Sequence, residues 1–468
     1  MKALVPIFLL LAAAVAQAAD VREQLLAIPL SARLGGETTP TTPLMDFTAV
    51  VANADGDAKA FFSNGNQTFT ATWTPAPGRQ PVTDGLGPVF NRESCFDCHL
   101  DNGRGAPPEG PGDALLSSLV RISIPGSDEH GGPRPVPFYG DQIQDRGIPG
   151  VPAEAKPSIA WENVDGTYGD GTRFSLRRPI VSLNNPAFGP LPKDLLTSFR
   201  VANPMIGLGL LESVPATTLQ ALADPEDRDG DGISGRVNIV WDGGNKSMSE
   251  GRFGWKANAP SLVHQNAGAA LGDMGITTPV NRVDLCTDGQ DACAAAAKAA
   301  NPSGEPEMGF DLFLRLVVFS RLVAVPPQRD AENPAVKRGE EIFRAIGCAA
   351  CHMPTLIAGR AADGVKPEFA EQTFHPFTDL LLHDMGEGLA DGRPDFLASG
   401  SEWRTTPLWG IGLTAAVSGH TYFLHDGRAR NLAEAVLWHG GEAETAKEEF
   451  RALPAARRAE LLAFLNSL

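Results

Sequence analysis

Two five-residue runs constrain this chain more than anything else in it: Cys95-Phe96-Asp97-Cys98-His99 and Cys348-Ala349-Ala350-Cys351-His352. Each reads C-x-x-C-H. At that spacing two thiols one helical turn apart can bond a single porphyrin, and the next imidazole reaches its iron. A chain carrying such a run must wrap a flat macrocycle, which then stands in for part of the side-chain core. Structural zinc or paired disulfides would use the thiols but leave both adjacent histidines without a role, and zinc-ribbon pairs lie far closer together in sequence. The runs predict two covalently bound c-type haems, held by Cys95, Cys98, Cys348 and Cys351, with His99 and His352 as iron ligands.

The N-terminus agrees with the export that such attachment needs. Lys2, the apolar run Ala3–Val15 and Ala16-Gln17-Ala18 fit a secretory signal over residues 1–19. The run is short for a membrane span, and Arg315 and Arg321 interrupt the next most apolar stretch, Leu312–Val325. The expectation is a periplasmic protein whose mature chain has no membrane span. A formal charge of −17 argues against nucleic acid as a partner. The two cysteines outside the motifs, Cys286 and Cys293, flank the turn signal Asp288-Gly289 and predict a loop-closing disulfide.

Aromatics make up only 7% of the chain, against 50 Gly and 38 Pro, which suggests irregular loop around a helical frame. The predicted fold is mainly α: two tandem cytochrome-c-like haem domains with long Gly/Pro-rich loops. Phe90 and Phe343, each five residues before its first Cys, suggest a repeated helix that packs a Phe on the haem. Pro326-Pro327 and Asn333-Pro334 place the boundary near 326–334, with an N-terminal haem domain over 20–330 and a C-terminal one over 331–468. Residues 105–157 read as long loop, not core. Asp227, Asp229 and Asp231 match the front half of a calcium loop, although its twelfth position is Asn238 instead of Glu.

These features resemble the bacterial di-haem cytochrome c peroxidases, and more closely the di-haem oxidoreductases often called thiol oxidoreductases. In that superfamily a Trp lies between an electron-transfer haem and a peroxidatic one, followed by a Gln and an acid. Phe253-Gly254-Trp255-Lys256-Ala257, then Gln265 and Asp273-Met274, resemble that stretch. The resemblance implies Trp255 as the bridging aromatic, with Gln265 and Asp273 over the N-terminal haem. Glu212, in an apolar run, is the competing acid. Thr405-Thr406-Pro407-Leu408-Trp409-Gly410, Tyr422–Gly427 and the helix from Asn431 resemble the segment that ends in the relatives' sixth ligand, a Met. Here His439 takes that place, on one helical face with Leu432 and Val436. Met385 is the rival ligand. A His in place of Met lowers a haem's reduction potential.

The reading is an exported di-haem oxidoreductase, peroxidase-like, passing electrons from the C-terminal haem to a reactive N-terminal one. Its expected partners are a periplasmic donor, such as a small cytochrome c or a copper protein, and a small oxidant such as peroxide. The alternatives are a non-catalytic di-haem electron carrier, or an oxidoreductase acting on thiols or on a partner protein. Cys95→Ala or Cys348→Ala should leave one haem singly linked or lost. Intact-mass measurement showing two doubly linked haems in either variant would exclude the assignment.

Overall fold

Helix starts are set by short polar side chains that meet free backbone N–H groups. A computed structural model describes residues 21–42, 45–78 and 82–468, so the expected signal segment lies outside the described residues. Asp55 accepts from the Ala58 N–H and opens α1 (Gly56–Thr70). Ser261 caps α2 (Leu262–Met274), which stops at Gly275 in the left-handed conformation, φ 66°. After a further helix, Asp291–Ala300, comes α3 (Phe310–Leu322). Asn333, with Pro334 as the first helical residue, opens α4 (Pro334–Ala345). Asn431 accepts from the Glu434 N–H and starts the short α5 (Leu432–Leu437); the chain closes with α6 (Ala455–Ser467).

Two helix crossings organise the molecule, α1 on α3 and α4 on α6. Each needs a glycine. A Cβ at Gly65 would stand 2.3 Å from the Arg315 carbonyl oxygen, and one at Gly339 would stand 2.1 Å from that of Glu460. One turn further along each helix lies a phenylalanine. The Phe69 ring is 6.3 Å from that of His99, and the Phe343 ring is 6.3 Å from that of His352. The repeat anticipated at Phe343 is therefore real, but its counterpart is Phe69. Phe90 belongs to a two-residue strand, Val89–Phe90.

The structure corrects the mainly-α expectation: the chain is 32% helix and 18% strand. β1 (Ser118–Ser127) pairs antiparallel with β4 (Leu196–Val201) and with Pro133–Arg134. Between them, β2 (Lys156–Thr167) and β3 (Arg173–Asn184) form a long hairpin. β5 (Ile239–Asp242) and β6 (Ser247–Glu250) form a short one. The segment expected to be loop has a core of its own. Val120 and Ile122 alternate along β1 with Leu119 and Arg121, and pack with Leu115, Val136, Tyr139 and Ile143. The larger core runs through both halves of the chain, from Leu25 to Leu468.

Because backbone oxygens cannot move aside as a flexible side chain would, Gly65→Ala and Gly339→Ala should each destabilise the protein by at least roughly 2 kcal/mol. Denaturant unfolding midpoints test this; an unchanged midpoint would mean that the crossings tolerate a methyl group.

Candidate functional site: two cavities at the C-x-x-C-H runs

A capping box fixes the first run. The Ser94 hydroxyl accepts from the Asp97 N–H and the Asp97 carboxylate from the Ser94 N–H, both at 3.1 Å. The resulting single turn sets Cys95, Cys98 and His99 on the wall of a cavity of about 530 Å³. The second run starts at Gly347, φ 92°, and sets Cys348, Cys351 and His352 on the wall of a cavity of about 510 Å³. His99 Nδ1 lies 2.7 Å from the Asn203 carbonyl oxygen, and His352 Nδ1 lies 2.9 Å from that of Phe377. A carbonyl only accepts, so Nδ1 carries the proton in each ring and Nε2 keeps a free lone pair. Burial lowers both imidazoles to about 4, which keeps them neutral.

Beyond these runs the cavities differ. In the C-terminal cavity α5 presents Leu432, Ala435 and Val436 to the interior, followed by His439. His439 donates from Nδ1 to the Ala435 carbonyl at 2.8 Å, and its ring centroid is 6.4 Å from that of His352. Met385 lines the same cavity. In the N-terminal cavity the inner face of α2 carries Gln265 and Asp273, about two turns apart. Asp273 is half-buried and accepts from the Gln142 amide at 2.9 Å; desolvation pushes its carboxyl above the usual carboxylate range. His264 also lines this cavity, but Ser261 Oγ at 2.9 Å and Asp242 Oδ1 at 3.1 Å engage both its ring nitrogens.

Trp255 lines both cavities. Its indole N–H donates to the Val201 carbonyl at 2.8 Å, and its ring meets His425 edge-on at 6.4 Å. His425 in turn stacks on Trp403 at 3.6 Å. Glu212 stands elsewhere. Its carboxylate accepts from the Leu262 N–H at 2.8 Å and pairs with Arg321, so it anchors the start of α2 to α3 and lines neither cavity.

A model of the family described as "Di-haem oxidoreductase, putative peroxidase" matches residues 32–468. The chain belongs to this family. Two haems are thus the cofactors of this di-haem oxidoreductase. No curated protein matches the chain. A hydrazine synthase structure from Kuenenia stuttgartiensis is 16% identical over 55% of this chain and 88% of its own, with a TM-score of 0.24. Among the described residues no helix is long and apolar enough to cross a membrane.

The cavities of the di-haem oxidoreductase fit their cofactors. Metal–imidazole bonds of about 2 Å put two imidazoles sharing one metal roughly 6 Å apart between centroids, the spacing of His352 and His439. Gly268 and Gly272, facing the N-terminal cavity, have no heavy atom closer than 3.7 Å to where a Cβ would stand. The face of α2 is therefore open to a flat group.

Several residues of these cavities lacked any assignment from sequence. His383 is clamped between Asp379 Oδ2 at 2.9 Å and Glu442 Oε2 at 2.7 Å, 3.5 Å from Cys351 Sγ. Despite burial, its anionic surroundings raise it well above the ordinary histidine range. Arg121 pairs with Asp141 at 2.7 Å on the wall of the N-terminal cavity. Arg104 lines the C-terminal cavity and Arg404 lines both. Cys286 and Cys293 are disulfide-bonded. The carboxylates of Asp227, Asp229 and Asp231 converge within 4.8 Å of one another, while Asn238 is turned inward to bond the Lys256 and Asp395 carbonyls.

Glu212→Ala should therefore cost about 1–3 kcal/mol of stability, through the lost cap and ion pair, and leave the reaction with peroxide unchanged. Slower turnover at normal stability would return Glu212 to the list of acids.

Proposed function

We propose that this di-haem oxidoreductase is an exported, peroxidase-like enzyme whose haems are c-type groups attached through Cys95 and Cys98 and through Cys348 and Cys351. His99 and His352 are the proximal ligands, and His439 is the second ligand in the C-terminal cavity. Electrons from a periplasmic donor, a small cytochrome c or a copper protein, enter at the C-terminal cavity. They pass Trp255 and reach the N-terminal cavity, where a peroxide takes two electrons and two protons and leaves as two waters. The bound haems supply the one-electron steps of this chemistry.

One observation carries the reading: the residues facing the two proximal histidines differ in kind. His352 faces a neutral imidazole at the spacing of a shared metal. The cavity of His99 instead offers an amide, Gln265, and a carboxyl, Asp273. Gln265 can orient a bound peroxide by hydrogen bonding. Asp273, whose carboxyl desolvation raises above the usual carboxylate range, can hand a proton to the oxygen that leaves. The neighbouring Arg121 and Arg92 then stabilise the carboxylate that remains. Trp255, packed between the cavities with its N–H fixed, gives a short aromatic path between them. A calcium ion held by Asp227, Asp229 and Asp231 belongs to the same reading, supported by the convergence of their oxygens.

Asp273→Asn keeps the shape and the Gln142 contact but removes the proton. It should slow the reaction with peroxide by roughly 10²–10⁴-fold with both haem spectra unchanged. Stopped-flow mixing with peroxide measures this. A wild-type rate in the variant, or no reaction in the wild type, would replace the peroxidase reading with that of an electron carrier.

A further inference from the structure

Among the described residues eight arginines are buried: Arg92, Arg104, Arg177, Arg200, Arg393, Arg404, Arg428 and Arg458. Six of them have a carboxylate within 4.0 Å. Arg104 and Arg404 do not, and both line the cavities. Among the described residues, Arg404 donates only to main-chain oxygens, from Nε to Gly254 at 2.9 Å and from Nη1 to Thr405 at 3.3 Å. Arg104 donates from Nη2 to the Leu424 carbonyl, and its Nε has no partner at all. Its guanidinium lies 5.1 Å from the centre of the Trp255 ring.

The acids whose charge acts on these two arginines are already committed. Asp426, which acts on Arg104, is bonded to Arg428 at 2.7 Å. Asp379, which acts on Arg404, is bonded to His383 at 2.9 Å. Burial lowers both guanidinium groups to about 10, so each stays charged at neutral pH. A buried charge without a counter-charge is costly. Each of the other six described buried arginines is paired, so the missing anion should belong to what the cavities hold. Haem carries two carboxylates on its edge, the propionates.

We propose that Arg404 binds haem carboxylates from both cavities on a single guanidinium, and that Arg104 binds one in the C-terminal cavity only. This rests on the di-haem assignment and not on the reaction with peroxide. Arg404 is then a positioning residue that ties the two haems together electrostatically. An electron arriving in one cavity adds negative charge near Arg404, and the other cavity feels it. By linkage the effect is reciprocal. The planar fork of arginine suits two carboxylates at once, where the point charge of lysine does not.

The test is spectroelectrochemical titration of the intact, haem-loaded protein at low ionic strength, resolving the midpoint potential of each haem. Arg404→Met should shift both midpoints downward, because a cation is lost from beside both haems. Arg104→Met should shift only that of the C-terminal haem. Arg404→Lys, which keeps the charge, should fold even if the Met variant does not, and should shift both midpoints by a smaller amount. The proposal is overturned if the Arg404 variant that folds moves neither midpoint or only one. It is equally overturned if Arg104→Met moves the N-terminal one as much as the C-terminal one. A wild type that ignores peroxide would sink the peroxidase reading and leave these midpoints to decide the role of Arg404.

Discussion

The hydrogen bond from each C-x-x-C-H imidazole to a main-chain carbonyl is the interaction on which the rest of this structure depends. Asn203 fixes His99 and Phe377 fixes His352. In each case the bond chooses the tautomer and turns Nε2 toward a cavity. The carbonyls can do this only because they are themselves fixed. Asn203 follows β4, which is paired along its length with β1. The segment around Phe377 is tied to the second C-x-x-C-H run, with the Thr378 and Asp379 N–H groups donating to Met353 and Cys351. The aromatic side is held by the glycine crossings, which bring Phe69 and Phe343 to equal distances from their histidines. Strand pairing in one half and helix crossing in both thus meet at the same two rings.

From that common frame the two cavities diverge. The C-terminal one holds a second imidazole, His439, beside His352, and His383 sits between two carboxylates on its wall. The N-terminal one is walled by α2, whose small residues leave room and whose Gln265 and Asp273 present an amide and a carboxyl. Between them lies a layer of aromatic rings, Trp255, His425 and Trp403, with Arg104 and Arg404 bordering it. Burial keeps His425 neutral, lowering it to about 3, so the layer holds its positive charge on arginine and not on histidine. On the proposed function these two cavities, with Trp255 on the wall of both, would suit one-way delivery of electrons.

Much of this was legible in the sequence where chemistry demands fixed spacing. The C-x-x-C-H runs depend on local geometry and each stands on the wall of a cavity, while Leu432, Val436 and His439 line one cavity together although the helix that carries the first two ends at Leu437. Phe69 was hidden because the chain inserts Ala71–Ser94 between its helix and the first motif, so a fixed offset of five picked Phe90 instead. The strands were hidden for a different reason. β2 and β3 are exposed on much of both faces and lack clean alternation, while β1 sits in a stretch whose Gly and Pro content reads as loop. Glu212 carried the right residue type in an apolar run, and only tertiary contact shows that Arg321 and the start of α2 claim it. Arg404 has no local signature at all. Its meaning comes from the absence of a nearby free acid, a property of the folded chain alone.

The central claim is that the two cavities hold haems in different ligation states, the C-terminal one closed by His439 and the N-terminal one open opposite His99. Low-temperature electron paramagnetic resonance of the fully oxidised protein tests it directly. The account predicts one low-spin ferric signal of bis-imidazole type and one high-spin ferric signal, with cyanide converting only the second. Two low-spin signals that cyanide leaves untouched would contradict it.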